Sequence, residues 1–430
     1  MTQSLKAFLF IALVSCASYT EQTESVRRSY YMGDNELALS KLEKSDLKTD
    51  HKSKLLYHLE KSSILDRLGR FDQQRQELFT ADKVAADLFS VSITNTAQTF
   101  ILSERSADYA GEDFEKVAIH IMLALSFIEE KNFNAALIEA RKINNVLKEI
   151  TKDYESNNNS YNEDAFARLL SGIIYEALGQ SDDAIIDYRK AYQLYNSKGF
   201  RNFCDEGGAP SFLVKSMLNL ATERKRKDLF DQVVKENPSA HEEWLKTHFK
   251  SKSHGELIVI HQQGSIAIKR AKEFILPFGR QIVRFSFPYY PEPASFNSYV
   301  GFTGVKLNNG FAIEGSNVSN LDRIAYQTLE DRRGRLIAKS AARLIAKGQL
   351  NEQARQNFGP LGGLLANIFT AATETADTRS WTLLPKRFYI TRLSLPVGEH
   401  HVQLLTDGRL SQILDLKVES GSKIMVRASG

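Results

Sequence analysis

The chain has 430 residues, 56 basic and 52 acidic side chains, and a net charge of +4; 42% of it is hydrophobic and 25% charged. That is the composition of an ordinary globular chain with room for two or three domains. The basic residues are spread along it and carry no RRM, zinc-finger or leucine-zipper signature, which argues against nucleic acid. Two cysteines, Cys16 and Cys204, exclude a disulfide framework.

The N-terminus reads as an export signal. Lys6 supplies a positive start and Ala7 to Val14 an apolar run of eight residues, too short to span a bilayer. Leu13-Val14-Ser15-Cys16 fits a lipobox, so residues 1–15 are expected to be removed and Cys16 to carry the lipid. Several acyl chains on one cysteine make a stable anchor where one chain would be marginal. No later run reaches 18 apolar residues, so attachment is expected from this end alone. Ala17, in place of an acidic residue, points to the outer membrane. Residues 16–25 are expected to be a lipidated tether.

Residues 26–250 read as an all-α solenoid of tetratricopeptide (TPR)-like repeats. The clearest unit is Gly172, Tyr175, Gly179, Ala184, Tyr188 and Ala191. Small residues let two antiparallel helices approach, aromatics fill the space between them, and Gly179 turns the chain. Ala124, Phe127, Lys131, Ala136, Ala140 and Ile143 repeat the offsets. Weaker units carry Gly33, Ala38 and Leu42, and then Ser62, Leu65, Gly69, Phe71 and Leu78. A polar insert, Lys152 to Asp164, reads as a loop, and Pro210 to Asn237 as a further helix pair. Such arrays present a concave surface that commonly takes a peptide. Tyr175, Tyr188 and Phe127 are the residues expected to meet a partner there.

The pattern changes near Gly255. Residues 255–430 read as a β-sandwich-like domain with a helical insertion at about 321–375, so the fold class is α+β. Strands are expected at Glu256–His261, Ser265–Arg270, Gln281–Phe287, Tyr299–Leu307 and Gly310–Glu314, from runs of Ile, Val and Phe between turn residues. Ser319-Asn320 is placed to cap the insertion. Its Arg332, Arg333 and Arg335 read as a solvated helix face, and its small-residue run GPLGGLLANIFTAATETA as a packed core. Strands resume at Ser380–Leu384, Arg387–Leu395, His400–Leu405, Ile413–Val418 and Lys423–Val426.

Signatures for catalysis are missing: no H-E-x-x-H, G-x-S-x-G, P-loop or dinucleotide fingerprint. His400 and His401 would point to opposite faces of a strand, which disfavours a shared metal. Cys204 stands beside Asp205 and Glu206, which disfavours a thiolate. Glu330 and Asp331 are neighbours on a helix and do not face each other. No catalytic residue, metal or cofactor is assigned.

The lipobox, the run EDFEKVAIHIMLALSFIEEKNFNAALIEARKINNVL, then GELIVIHQQG, LEDRRGRLIAKSAARLIAK and TADTRSWTLLPKRFYITRLSLPVGEH, in this order, resemble a family of uncharacterised Gram-negative envelope lipoproteins. The resemblance covers nearly the whole mature chain. Members tend to be encoded near lipoproteins similar to activators of penicillin-binding proteins, which implies a role in peptidoglycan synthesis or envelope assembly. The expected function is a non-enzymatic, lipid-anchored scaffold or adaptor that binds periplasmic or outer-membrane proteins. The alternatives are a structural subunit of a secretion or motility machine and a cell-wall hydrolase.

Overall fold

The computed structural model describes residues 19–94, 107–152, 160–200, 203, 207–248, 253–278, 281–293, 301–308, 310–334, 336 and 376–429. The signal, Cys16 and Cys204 lie outside them, as do Arg335 and residues 337–375 of the expected insertion.

After a short helix, α1 (Tyr19–Gln22), the first half is five helix hairpins and a closing helix. The hairpins are α2 (Glu24–Tyr31) with α3 (Asn35–Glu43), α4 (Lys54–Arg67) with α5 (Phe71–Thr94), and α6 (Asp113–Glu129) with α7 (Phe133–Lys152). Then come α8 (Ala165–Ala177) with α9 (Ser181–Asn196), α10 (Ser211–Glu223) with α11 (Lys227–Glu236), and α12 (Pro238–His248).

One device turns all five hairpins. The residue after the first helix adopts left-handed backbone: Gly33, Gly69, Lys131, Gly179 and Lys225, with φ of 81°, 67°, 58°, 72° and 53°. Its N–H bonds to the carbonyl three residues back, and the next N–H to the carbonyl five back. For Gly69 these are Asp66 at 3.1 Å and, through Arg70, Leu65 at 3.0 Å. For Lys131 they are Ile128 and, through Asn132, Phe127, both at 2.9 Å. This is a Schellman cap, which satisfies helix-end carbonyls while reversing the chain. The repeat expected from sequence is therefore present, and Lys225 adds a fifth unit whose turn lacks glycine.

The small residues of the repeat pattern sit where helices touch. Ala38, Ala124, Ala136, Ala140, Ala184 and Ala191 are all fully buried. A Cβ built on Gly172 would lie 2.4 Å from Cδ1 of Tyr188. Only glycine there lets the Tyr188 ring enter the space between α8 and α9.

The second half holds two four-stranded sheets and a ribbon. The first sheet is ordered β10 (Lys423–Ser429), β1 (His254–Gln263), β7 (Arg387–Pro396), β6 (Ser316–Asn320), with β1 and β10 parallel. The second is ordered β5 (Ala312–Glu314), β4 (Gly304–Leu307), β8 (Gly398–Thr406), β9 (Arg409–Val418). The ribbon pairs β2 (Arg270–Phe278) with β3 (Gln281–Tyr289) and joins neither sheet.

β1 is buried on both faces, which explains its unbroken apolar run. Leu257 and Val259 join Val305, Leu393, Leu395, Val402 and Leu404 in a cluster shared by the two sheets. Ile258 and Ile260 face the other way. With Val318, Phe388, Ile390 and Met425 they belong to the same apolar core as the helices. The two halves expected to be separate domains thus share one core across the first sheet.

Some expected strands differ. Ser265–Lys269 is not a strand, and β2 begins only at Arg270. Ser380–Leu384 is a turn segment, held by carboxylates rather than by a sheet. β4 starts at Gly304 and β5 at Ala312. β6 was read only as a cap; Asn320 does both, ending β6 and accepting from Arg323 N at 3.2 Å. It opens a helix over 321–334, α13.

Candidate functional site: the groove and what fills it

The first helices of the hairpins, α4, α6, α8 and α10, line the face turned toward the β half. On α4, Glu60, Ser63 and Asp66 follow at spacing three and so share one side. On α6 the corresponding groups are Glu112, Glu115, Met122 and Glu129; α8 adds Glu176 and α10 Ser216. The chain's own second half reaches every one of them.

Residues 376–386 cross this face as a strap between α13 and β7. Glu60 is 1% exposed, and its carboxylate accepts from Thr382 N and Thr382 Oγ1 at 2.7 Å, Leu383 N at 3.0 Å and Tyr19 OH at 2.7 Å. Glu115, fully buried, accepts from Trp381 N at 2.6 Å, Tyr109 OH at 2.7 Å and Glu112 N at 2.9 Å. Trp381 is itself fully buried and donates its indole N–H to Ser63 Oγ at 2.8 Å. Arg379 donates to the carbonyls of Lys52 at 2.9 Å and Ala107 at 3.0 Å, while its ion pair with Asp377 keeps it in place. Two buried carboxylates thus read three successive main-chain N–H groups, as a groove reads an extended peptide.

Farther along, Arg392 of β7 lies in a network of four charges. It holds Glu176 with both guanidinium ends, at 2.8 and 2.9 Å, Glu256 at 2.6 Å and Ser216 Oγ at 2.8 Å. Lys423 reaches Glu176 at 2.8 Å and Glu256 at 3.0 Å. Two anions and two cations cancel, which is how buried charge is tolerated. Burial opposes ionisation of Glu176, but Arg392 and Lys423 outweigh it and hold this carboxyl well below its usual range. Arg427 of β10 pairs with Asp66, and Gln262 Nε2 lies 3.8 Å from Met122 Sδ.

Glu112 and Glu115 behave oppositely. Burial pushes Glu112 up, yet Arg332 and Lys269 win and bring it to about 2. Glu115 has no cation in contact. Burial and the nearby Glu112 charge raise it to about 7 against the pull of the Trp381 and Glu112 N–H groups. A carboxyl near 7 is a usual mark of a general acid. Here both oxygens already meet donors from the chain itself, under a buried strap, which is not the setting of a catalytic cleft.

The partner-facing residues expected from sequence are placed differently. Tyr188 is fully buried and donates to Glu176 at 2.6 Å. Tyr175 is 5% exposed beneath the Arg141 guanidinium, 4.8 Å from the ring centre. Both pack within the array rather than opening to a partner, because the aromatic positions of such a repeat are the ones that join its helices. Phe127 is half-buried against Phe79 and Arg75. Arg332, read as part of a solvated face, turns inward to Glu112. His400 meets the Pro396 carbonyl and His401 meets Asp415. Glu330 pairs with Arg333, and Asp331 accepts from Ser160 N.

Glu60, Glu115 and Glu176 were missed, although a signal existed. Each interrupts the apolar stripe of its helix: Glu60 between Leu56 and Ile64, Glu115 before Ala118 and Ile119, Glu176 after Gly172 and Ile173. A second regularity was also legible. His58–Glu77 at 2.6 Å, His120–Glu139 at 2.9 Å and Arg168–Asp187 at 3.0 Å each join a base to an acid 19 residues later, across one hairpin.

No protein-family model and no curated protein matches the chain. Solved structures similar to part of it include the apo form of RapI, at 11% identity over 56% of this chain with a TM-score of 0.38. MamA matches at 15% over 52%, with 96% of its own length covered and a TM-score of 0.30. A Podosopora anserina putative kinesin light chain with nearly identical TPR-like repeats matches at 12% over 51%, covering 93% of that chain, with a TM-score of 0.32. The chain spans 58% of the RapI chain. Likenesses at this level bear on neither activity nor partners.

Proposed function

We propose that this chain is a non-enzymatic, lipid-anchored scaffold of the cell envelope, held at the outer membrane through Cys16, that binds periplasmic or outer-membrane proteins. The observation that carries the scaffold reading is the filled groove. The strap and the Arg392 network occupy in cis the surface on which a helical-repeat adaptor takes a peptide. Partners therefore meet the outside of a closed body: the outer helices, or the open face of the second sheet. Involvement in peptidoglycan synthesis or envelope assembly rests on the family resemblance.

The closed groove also favours the second reading, a structural subunit of a larger envelope machine, since an adaptor working through its concave face would keep it open. Cross-linking in the native envelope separates the two. A scaffold yields one or a few partners joined to outward-facing positions such as Ile138 or Ile186; a subunit yields a large complex of fixed size. Recovery of lipid alone, with no protein, contradicts both. Cys16→Ser is expected to release the chain from the membrane fraction, and an unchanged fraction contradicts the anchor.

A further inference from the structure

Glu60 and Glu115 hold the strap without the help of a contacting cation. Every donor they meet is neutral: main-chain N–H groups, the Thr382 hydroxyl and the phenols of Tyr19 and Tyr109. This sets them apart from Glu112, which contacts Lys269 and Arg332, and from Glu176, which contacts Arg392 and Lys423. Around Glu115 the other titratable groups are Glu112 on its own helix, Tyr109 before it, Lys269 ahead of β2, Tyr290 after β3, Arg332 on α13, and Tyr19 with Glu60 from the first two repeats.

An ionised carboxylate at Glu115 lies in the core beside the ionised Glu112. Lifting the strap would expose it to water and relieve that burial. A neutral carboxyl has no such incentive to open. Opening therefore releases a proton when it begins from the neutral form, and proton concentration works against it.

We propose that the strap over the groove is a proton-controlled latch, closed most tightly when the Glu115 carboxyl carries a proton and loosened when it is ionised. This regulates the site described above and so rests on the reading of that groove as filled by the chain itself. The partner made accessible by loosening would be an extended segment with free main-chain N–H groups, the chemistry these carboxylates already read. The linkage has a definite sign. With the closed-state value near 7 and an open-state value near 4.5, the opening equilibrium rises on the order of tenfold from pH 6 to pH 8.

Hydrogen exchange at the amides of Trp381, Thr382 and Leu383 tests this in the full chain, with rates corrected for intrinsic exchange at each pH. The latch predicts strong protection at pH 6, about tenfold weaker protection at pH 8, and no such dependence in Glu115→Gln. Infrared spectra of the wild-type chain give a second reading that needs no variant: a protonated-carboxyl band that disappears as pH rises through neutrality. Equal protection at both pH values, an unchanged dependence in Glu115→Gln, or no such band overturns the latch while leaving the filled groove intact. Strap amides that exchange as in an unfolded chain at both pH values overturn the filled groove as well.

Discussion

Lys131 and Lys225 hold a left-handed turn that glycine holds in the other three hairpins. A side chain in that conformation costs on the order of 1 kcal/mol, part of which glycine loses again as unfolded-state entropy. Lys131→Gly is therefore expected to stabilise the chain by roughly 0.5 kcal/mol, measured by denaturant unfolding. Gly172 makes the opposite case. Its Cβ position is taken by the Tyr188 ring, which is itself tied to Glu176. Gly172→Ala should cost about 1–3 kcal/mol, the usual range for overpacking; an unchanged midpoint would show that the ring is free to move. These turns and close approaches were legible from the sequence because glycine and alanine announce them. The roles of Tyr175 and Tyr188 were not, since a repeat pattern marks its aromatics without saying whether they face inward or out.

Among the elements, the hairpins follow from local signals: a Schellman turn, small residues at fixed offsets, an apolar stripe. β1, β7, β8, β9 and β10 follow from runs of branched and aromatic residues. The strap does not. RSWTLL has strand-like composition, yet its N–H groups go to carboxylates on α4 and α6, more than 250 residues earlier in the chain. No local pattern can reveal a pairing at that distance. What can be read locally is the other partner, an acid set into an apolar stripe. The same contrast governs pH dependence. Glu112 is held down at about 2, so its share of stability is present above the unfolded value and is lost as pH falls through the folded one. Glu115, raised to about 7, does the reverse: its share is full below its unfolded value and is lost as pH rises through 7. Each shift corresponds to about 3 kcal/mol. Unfolding measured across pH should show stability falling on both sides of a mildly acidic maximum, with the alkaline limb removed by Glu115→Gln. A flat profile between pH 5 and 8 would contradict the placement of Glu115.

At the scale of the molecule, the helical array and the first sheet have one core, and the concave side of the array is internal. The division into an α half and a β half could be read from periodicity; their union could not, because it rests on side chains such as Arg392 and Trp381 that look ordinary in sequence. The central claim is that the β half occupies the groove. A double-mutant cycle between Glu176 on α8 and Arg392 on β7 tests it most directly. With Glu176→Gln, Arg392→Met and the double variant compared by denaturant unfolding, the contact predicts a coupling energy of about 1.5 kcal/mol or more, as found for close, desolvated charge pairs. Additivity within about 0.5 kcal/mol, the behaviour of distant sites, would mean that the two side chains do not meet and that the groove is open.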